Sequence, residues 1–239
     1  MEVQSGITEL TTGTVRHTLD TPVPVGQSFV IWTVRSNYNI SGANMVQVRL
    51  DTIVDEHYTE IAFYRGADVY PKTHAYWQVV TDKSLKVQSG VATISQVAAV
   101  NVAIEEVDLT KAFCIVGVRI SSTEAESFRE IFVAPSFTDT TNLKLARFDN
   151  TKSVSVGWQV IEWEDAFVQS GAVSMDSSPK NVEVEAVDPK RSFLLYYGTN
   201  YSISDIKSLP RGRITSETNI QFEQVTTSIY YSIHYFIIT

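Results

Sequence analysis

The chain has 239 residues, of which 44% are hydrophobic, and its 27 acidic and 19 basic side chains give a net charge of −8. This composition is sufficient for packed cores, but no apolar run approaches the roughly 20 residues that a membrane-spanning helix needs, so we expect no membrane partner. The acidic balance and the lack of clustered Lys or Arg argue against a nucleic-acid partner. The single cysteine, Cys114, excludes an internal disulfide framework, and its apolar neighbours predict a buried, unreactive thiol.

A four-residue motif divides the chain into three parts. Val-Gln-Ser-Gly recurs with its first residue at Val3, Val87 and Val168, at spacings of 84 and 81 residues. A second motif, Trp-Gln-Val-Val at 77–80, recurs as Trp-Gln-Val-Ile at 158–161, and its third copy is predicted near Ile233. Repeats of about 80 residues have the size of domains rather than of solenoid units. The sequence therefore predicts three domains, at 1–86, 87–167 and 168–239.

Each repeat is predicted to contain about six β-strands. The second repeat shows this most clearly, because the apolar residues Val100, Val102 and Ile104 alternate with their neighbours in the period of two that is typical of a half-buried strand. Its strands are predicted near 86–95, 99–107, 112–120, 128–134, 142–148 and 153–163. Six antiparallel strands imply two sheets that bury alternate residues between them. The predicted fold class is all-β, with three tandem small antiparallel β-sandwich repeats.

The phase of the Trp-containing strands separates core residues from contact residues. Trp77 and Trp158 lie on the inward phase and are predicted to anchor the core, with a carbohydrate-stacking platform as the alternative. Gln78 and Gln159 then point outward, where they can meet a neighbouring sheet. Trp163 lies on the outward phase beside a join between repeats, and we expect the next repeat to bury it. The glycine of each motif copy indicates a β-bulge or a close approach of another group to the backbone.

The titratable residues form no recognisable catalytic or metal-binding pattern. The histidines do not recur between the repeats and have no metal-type spacing; they are His17, His57, His74 and His234. A small acidic cluster in the first repeat, formed by Asp51, Asp55 and Glu56, is interpreted as a solvated turn, with a calcium site as the alternative. We therefore predict that the protein is not an enzyme and has no catalytic residue, cofactor or metal.

Arginines recur at the ends of apolar strands. Arg35 matches Arg119, and Arg65 matches Arg147. Ordinary surface ion pairs are the favoured interpretation, and binding of acidic groups on a neighbour or a glycan is the alternative. Aromatic candidates for stacking against a sugar are Trp32, Tyr38 and Tyr64. The full set of predicted interface or ligand contacts is Arg35, Arg119, Trp32, Trp163, Gln78 and Gln159.

The repeated motifs resemble two known groups of proteins. The Val-Gln-Ser-Gly strand, the Val-Asp-x-x-Lys/Arg-x-Phe turn at 107–113 and 187–193, and the Trp-Gln-Val-Val strand are similar to repeats in virion structural proteins of tailed bacteriophages. The order of these elements also resembles H-type lectin domains. The phage resemblance implies a non-enzymatic virion structural protein, such as a capsid decoration or cement protein, a head-fibre protein or a tail-associated component.

Such a protein would act by multivalent protein–protein docking to other capsid or tail proteins, in a virion assembled in the host cytoplasm. The lectin resemblance implies the alternative, a glycan-binding module of a phage or host-interaction protein. H-type lectin domains commonly form trimers, so the three repeats are expected either in a row or around a pseudo-threefold axis. The oligomeric state also stays open at this point.

Overall fold

The structure is a computed structural model that describes residues 1–11, 13–36, 46–65, 73–120, 132–148, 150–200, 210–224 and 231–239. Eighteen β-strands lie in these ranges. The first six are β1 (Glu2–Leu10), β2 (Thr14–Pro24), β3 (Ser28–Ser36), β4 (Val46–Val54), β5 (His57–Arg65) and β6 (Thr73–Thr81). The next six are β7 (Leu85–Ser95), β8 (Ala99–Ala103), β9 (Ala112–Ile120), β10 (Val133–Asp139), β11 (Asn142–Arg147) and β12 (Ser153–Trp163). The last six are β13 (Val168–Met175), β14 (Lys180–Glu183), β15 (Phe193–Asn200), β16 (Arg211–Ser216), β17 (Asn219–Glu223) and β18 (Tyr231–Ile238). The described ranges hold no helix that is long and apolar enough to cross a membrane.

Each set of six strands forms two three-stranded antiparallel sheets with one common strand order. The first, sixth and third strands form one sheet, here called the A sheet, and the second, fifth and fourth form the B sheet. The A sheets are β1-β6-β3, β7-β12-β9 and β13-β18-β15, and the B sheets are β2-β5-β4, β8-β11-β10 and β14-β17-β16. This threefold recurrence confirms the predicted all-β class with tandem antiparallel sandwich repeats.

The chain divides into two compact units. Unit 1 comprises 1–95, 114–126 and 153–164, and unit 2 comprises 96–113, 127–152 and 165–239. Unit 1 therefore holds both sheets of repeat 1 and nearly all of the A sheet of repeat 2. Unit 2 holds the B sheet of repeat 2 and both sheets of repeat 3. The three domains predicted from the sequence, at 1–86, 87–167 and 168–239, remain a prediction beside this division.

The core of repeat 1 lies within unit 1, between its A and B sheets. Alternate residues of each strand point into it, as the period of two requires. Leu10, Val30, Ile61, Phe63 and Trp77 are among the buried members of this cluster. Burial of each large apolar side chain contributes on the order of 1.5–3 kcal/mol relative to exposure. Trp77 thus has the core-anchor role predicted for it.

Repeat 3 has an equivalent core within unit 2. Its buried members include Met175, Ile220, Phe222 and Ile233, and Tyr235 packs with them. The ring of Phe222 lies 6.2 Å from that of Tyr235, so aromatic residues fill the position that tryptophan has in the first repeat. Tyr235, not Ile233, is the third copy of the tryptophan position, because Gly171 pairs with Tyr235 as Gly6 pairs with Trp77. The prediction near Ile233 was wrong by two residues. Because a shift of two residues keeps a side chain on the same face of a strand, the predicted inward direction still holds.

Two strand boundaries of repeat 2 also differ from the prediction. The second strand was predicted near 99–107, but β8 ends at Ala103, and after it the Ile104 and Val107 N–H groups bond to the turn at 140–141. The fourth strand of repeat 2 was predicted near 128–134, but β10 runs from Val133 to Asp139. β10 is an edge strand, so Pro135 can lie within it without breaking the ladder, since its missing N–H is not needed on the open side. Residues 128–131 lie outside the described ranges.

The glycine of the Val-Gln-Ser-Gly motif accommodates an aromatic ring from the neighbouring strand. An added Cβ at Gly6 would lie 2.5 Å from Cζ2 of Trp77, and one at Gly90 would lie 2.6 Å from Cζ2 of Trp158. At Gly171 it would lie 2.5 Å from the hydroxyl of Tyr235. These glycines sit in unbroken strand register, so the close approach, and not a bulge, explains them.

The glutamine of the same motif joins the first strand of its repeat to the second strand, or to the chain just after that strand. The Gln4 amide donates to the carbonyl of Thr21 (2.8 Å), and its Oε1 accepts from the Thr21 N–H (3.1 Å). Gln169 makes the same pair of bonds to Glu185, at 2.9 and 2.8 Å. A side-chain amide carries both a donor and an acceptor, so it can pair at once with the C=O and the N–H of one residue. The repeated motif thus serves the architecture of the sandwich.

Candidate interaction surfaces

The outer face of the repeat 2 A sheet forms a contact surface within unit 1. We call the face of each A sheet that bears the motif glycine its inner face, and the opposite face its outer face. Gly117 of β9 and Gly157 of β12 lie on the outer face of this sheet and are buried. An added Cβ would lie 2.6 Å from Cζ2 of Trp32 at Gly117, and 2.7 Å from Cγ of Gln47 at Gly157. The two glycines thus leave room for side chains from β3 and β4 of repeat 1.

Gln159 makes the most specific contact of this junction. Its Nε2 donates to the Val30 carbonyl at 2.9 Å, and its Oε1 accepts from the Val30 N–H at 2.9 Å. Val30 belongs to β3, an edge strand, and Gln159 is only 4% exposed. The amide therefore satisfies a peptide group at the open edge of one sheet from the outer face of another. Nearby, Ser155 Oγ donates to Oε1 of Gln47 at 3.3 Å.

A charged network surrounds Tyr64 at the same junction. The Arg49 guanidinium carbon lies 4.6 Å from the Tyr64 ring centre, and that of Arg119 lies 5.8 Å from it. Arg49 also donates to the Tyr64 hydroxyl (2.6 Å), which donates to Asp51 (2.9 Å). Arg16 donates to Asp51 at 2.7 Å. The charge-assisted hydrogen bonds hold Tyr64 in place within repeat 1, and the Arg119 guanidinium beside its ring joins repeat 2 to repeat 1.

The hydrogen bonds of this network keep Asp51 ionised. Partial burial acts to raise the pKa of Asp51, but the hydrogen bonds from Tyr64, from the Thr52 N–H and from Arg16 together hold that pKa below its ordinary value. Asp51 is therefore paired within the protein. Asp55 and Glu56 form the exposed turn between β4 and β5, both with positive φ, as a tight hairpin turn requires.

The corresponding outer face of the repeat 1 A sheet is open. Tyr76 and Gln78 of β6 hold the register positions of Gly157 and Gln159, because Trp77 and Trp158 face equivalent glycines. In β3, the residues Ile31, Thr33 and Arg35 hold the positions that Ile115, Gly117 and Arg119 have in β9. All five residues on repeat 1 are exposed, with Ile31 and Tyr76 at 38% each. We refer to Ile31, Thr33, Arg35, Tyr76 and Gln78 as the open face.

Unit 2 contains a second junction of the same type. Strand β10 of repeat 2 contacts β15 and β18 of repeat 3, and the rings of Phe137 and Phe236 lie 6.1 Å apart, edge to face. Phe236 follows Tyr235 and so holds the position of Gln159; it is 2% exposed. The backbone join also recurs, since the Val87 N–H donates to the Gly26 carbonyl in unit 1 and the equivalent Val168 N–H donates to Thr110 in unit 2.

A cleft of about 240 Å³ lies beside this second junction. Its lining includes Ser136 and Phe137 of β10, Ser170 of β13, and His234 and Tyr235 of β18. Burial lowers the pKa of His234 below its ordinary value, and the charge of Lys144 lowers it further. The imidazole is therefore neutral near pH 7, with one nitrogen available as a donor and the other as an acceptor.

The predicted contact residues separate into two groups. Trp32, Arg119 and Gln159 lie together at the junction of unit 1, whereas Arg35 and Gln78 lie on the open face. Trp163 ends β12, opposite Leu85, half-buried and apart from both groups. Tyr38 lies outside the described residues.

The Arg65–Arg147 pair differs from the favoured surface ion pairs. Both guanidinium groups are 3% exposed. Arg65 donates to the Leu10 carbonyl at 2.9 Å, and Arg147 donates to the Val97 and Lys152 carbonyls. Arg65 thus fastens the end of β1 to the end of β5, and Arg147 fastens the loops after β7 and before β12 to the end of β11. Their recurrence after an apolar strand was visible in the sequence, but the backbone carbonyls that bind them were not.

The remaining titratable candidates have structural surroundings. His17 packs 5.0 Å from the Trp77 ring, and His74 lies 3.9 Å from Glu9. Cys114 is fully buried, and burial raises the pKa of its thiol far above the ordinary value. In the part of the chain that the structure describes, no three His, Cys, Asp or Glu side chains are grouped to hold a metal ion.

No protein-family model matches this sequence, and no curated protein shows significant similarity to it.

Proposed function

We propose that this chain is a non-enzymatic structural protein of a tailed-bacteriophage virion, and that it acts by multivalent docking to other capsid or tail proteins. A capsid decoration or cement protein, a head-fibre protein and a tail-associated component all fit this description. The virion assignment, with assembly in the host cytoplasm, rests on the resemblance of the three motifs to repeats in such proteins.

The observation that best supports a docking role is the use of the repeated residues. The motif glutamines Gln4 and Gln169 bind the second strand of their repeat or the chain just after it, the motif glycines receive aromatic rings, and Gln159 joins two repeats. Repetition has thus preserved shape and inter-repeat contact. Similar surfaces presented in tandem raise the effective concentration of each docking contact, so that several weak contacts act together.

The test is the composition of purified particles. We expect quantitative mass spectrometry to find the chain in intact virions at a fixed ratio to the major capsid or tail protein. Particles assembled without the chain should bind the purified full-length protein saturably. Absence of the chain from every particle fraction, or binding that never saturates, would contradict the proposal.

Glycan binding is the second candidate, supported by the cleft beside β10 and β18. The ring of Phe137 next to Ser170 and the neutral His234 offers a stacking surface with hydrogen-bonding groups, as sugar sites require. Glycan-array screening of the full chain should then give hits that His234→Ala abolishes and that the exposed-turn control His57→Ala retains. An array without hits would exclude this candidate.

A further inference from the structure

The two junctions show what covers the outer face of an A sheet in this protein. In unit 1, β3 and β4 of repeat 1 cover the outer face of the repeat 2 A sheet, through Trp32, Gln47 and the Val30 backbone. In unit 2, β10 of repeat 2, its fourth strand, packs on β15 and β18. The fourth strand of the preceding repeat takes part in both cases, and in unit 1 the third strand covers the face with it.

The open face of repeat 1 is the same kind of surface without such a partner among the described residues. Gln159 is 4% exposed, whereas its counterpart Gln78 is exposed. Ile115 is 8% exposed, whereas its counterpart Ile31 is 38% exposed. The matching third- and fourth-strand edge of repeat 3 consists of β15 and β16, which lie at the edges of their sheets.

The strand registers name the residues that would meet if this edge covered the open face. Gln159 binds the backbone of Val30, which pairs with Val79, two residues after Trp77. In repeat 3 the equivalent of Trp77 is Tyr235, and the residue two positions after it, Ile237, pairs with Leu194 of β15. Leu194 therefore holds the position of Val30. Gln78 would therefore bind the Leu194 backbone. Both peptide groups belong to the third strand, at the open side of the sheet.

The same correspondence brings opposite charges together. Arg119 lies over Tyr64, which follows the buried Phe63 on β5 and is bound by Arg49. In repeat 3, Glu223 follows the buried Phe222 on β17 and is bound by Arg213 at 2.6 Å.

Arg35, the counterpart of Arg119, would therefore meet Glu223. The Glu223 side chain is 44% exposed, so it is accessible to a second cation.

We propose that the open face binds the β15/β16 edge of a second copy of this chain, so that chains associate head to tail. The contact is heterologous, because two different surfaces of the molecule meet, and it therefore propagates into a closed ring or a linear filament. This inference rests on the proposed docking function and specifies one of its partners.

The test is a charge exchange across the predicted contact, read by sedimentation velocity of the full chain over a wide range of concentration. The wild-type chain should form concentration-dependent oligomers. Arg35→Glu and Glu223→Arg should each weaken self-association about tenfold or more, because like charges then face each other in the contact. An equimolar mixture of the two single variants should restore association with the variants alternating, since both mixed contacts again pair a carboxylate with a guanidinium.

Matched controls separate the contact from a general charge effect. Lys83→Glu and Glu106→Arg make the same charge changes at exposed residues outside the strands of both surfaces, and should associate like the wild-type chain. Thermal unfolding confirms that each variant is folded. A wild-type chain that is monomeric at every concentration, or a mixture that associates no better than the single variants, would overturn the inference. A monomeric chain that is still present in purified virions would overturn self-association alone and leave the docking function standing.

Discussion

Two glutamines at the same repeat position should differ sharply in their effect on stability. Gln159 and Gln78 each follow the tryptophan that faces a motif glycine. Gln159 forms two hydrogen bonds with the buried Val30 peptide, whereas Gln78 is exposed. Gln159→Ala and Gln78→Ala therefore remove the same atoms from two environments, and each variant serves as the control for the other.

The magnitude follows from the groups left behind. Val30 is 0% exposed, so in Gln159→Ala its N–H and carbonyl lose their partners away from water. An unsatisfied buried polar group costs about 1–3 kcal/mol, and a typical hydrogen bond contributes about 1 kcal/mol net. We expect Gln159→Ala to lower the free energy of unfolding by about 2–4 kcal/mol. Gln78→Ala should change it by less than about 0.5 kcal/mol, as is usual for surface substitutions.

The assay is urea denaturation followed by tryptophan fluorescence. The four tryptophans, Trp32, Trp77, Trp158 and Trp163, all lie in unit 1, so the signal reports the unfolding of that unit. A shift of the midpoint at constant slope measures the change in stability. Equal midpoints for the two alanine variants would refute the assignment of the Gln159 contact.

A charged variant provides a second readout of the same contact. In Gln159→Glu the carboxylate faces the Val30 carbonyl, so at neutral pH this variant should be less stable than Gln159→Ala. Burial raises the pKa of such a carboxyl above its unfolded value, so its relative stability is greatest at low pH and is lost as the pH rises through the folded pKa. The absence of this pH dependence would count against a buried contact.

Three further predictions concern the core and the buried polar groups. Gly6→Ala forces a Cβ to 2.5 Å from the Trp77 ring and should destabilise unit 1 by about 1–3 kcal/mol in thermal unfolding, whereas Ser5→Ala should have little effect. Arg65→Met leaves the Leu10 carbonyl without this donor and should cost about 1–3 kcal/mol in urea denaturation, and Arg65→Lys should not restore the full stability. Cys114 is fully buried with a raised pKa, so a thiol reagent at pH 8 should label it only in denaturant; rapid labelling of the native protein would contradict its burial.

The sequence was sufficient to predict the repeat architecture. Three copies of one motif and the period-two alternation predicted three sets of six strands, and the structure has six strands with the same sheet order in each set. Local alternation carries this information because successive side chains of a strand point to opposite faces. The same phase placed Trp77 in the core and Gln78 on the outside.

The roles of the motif residues required the partner strands. The motif glycine had two interpretations, and only the register of β1 with β6 showed that Trp77 lies across Gly6. Arg65 was expected on the surface because charged residues usually are, yet the carbonyl of Leu10, distant in sequence, binds it in the interior.

The contact residues show the same limit most clearly. Gln78 and Gln159 have nearly identical sequence surroundings, Trp-Gln-Val-Val and Trp-Gln-Val-Ile, and their environments are opposite. One is covered because β3 of the preceding repeat lies against it.

The sequence by itself thus determined the strands, their phase and their repetition, since these depend on neighbours one or two positions away. Only the tertiary structure decided which of the equivalent surfaces are filled. The physical reason is that burial depends on which distant strand packs against a residue, and local sequence does not record that.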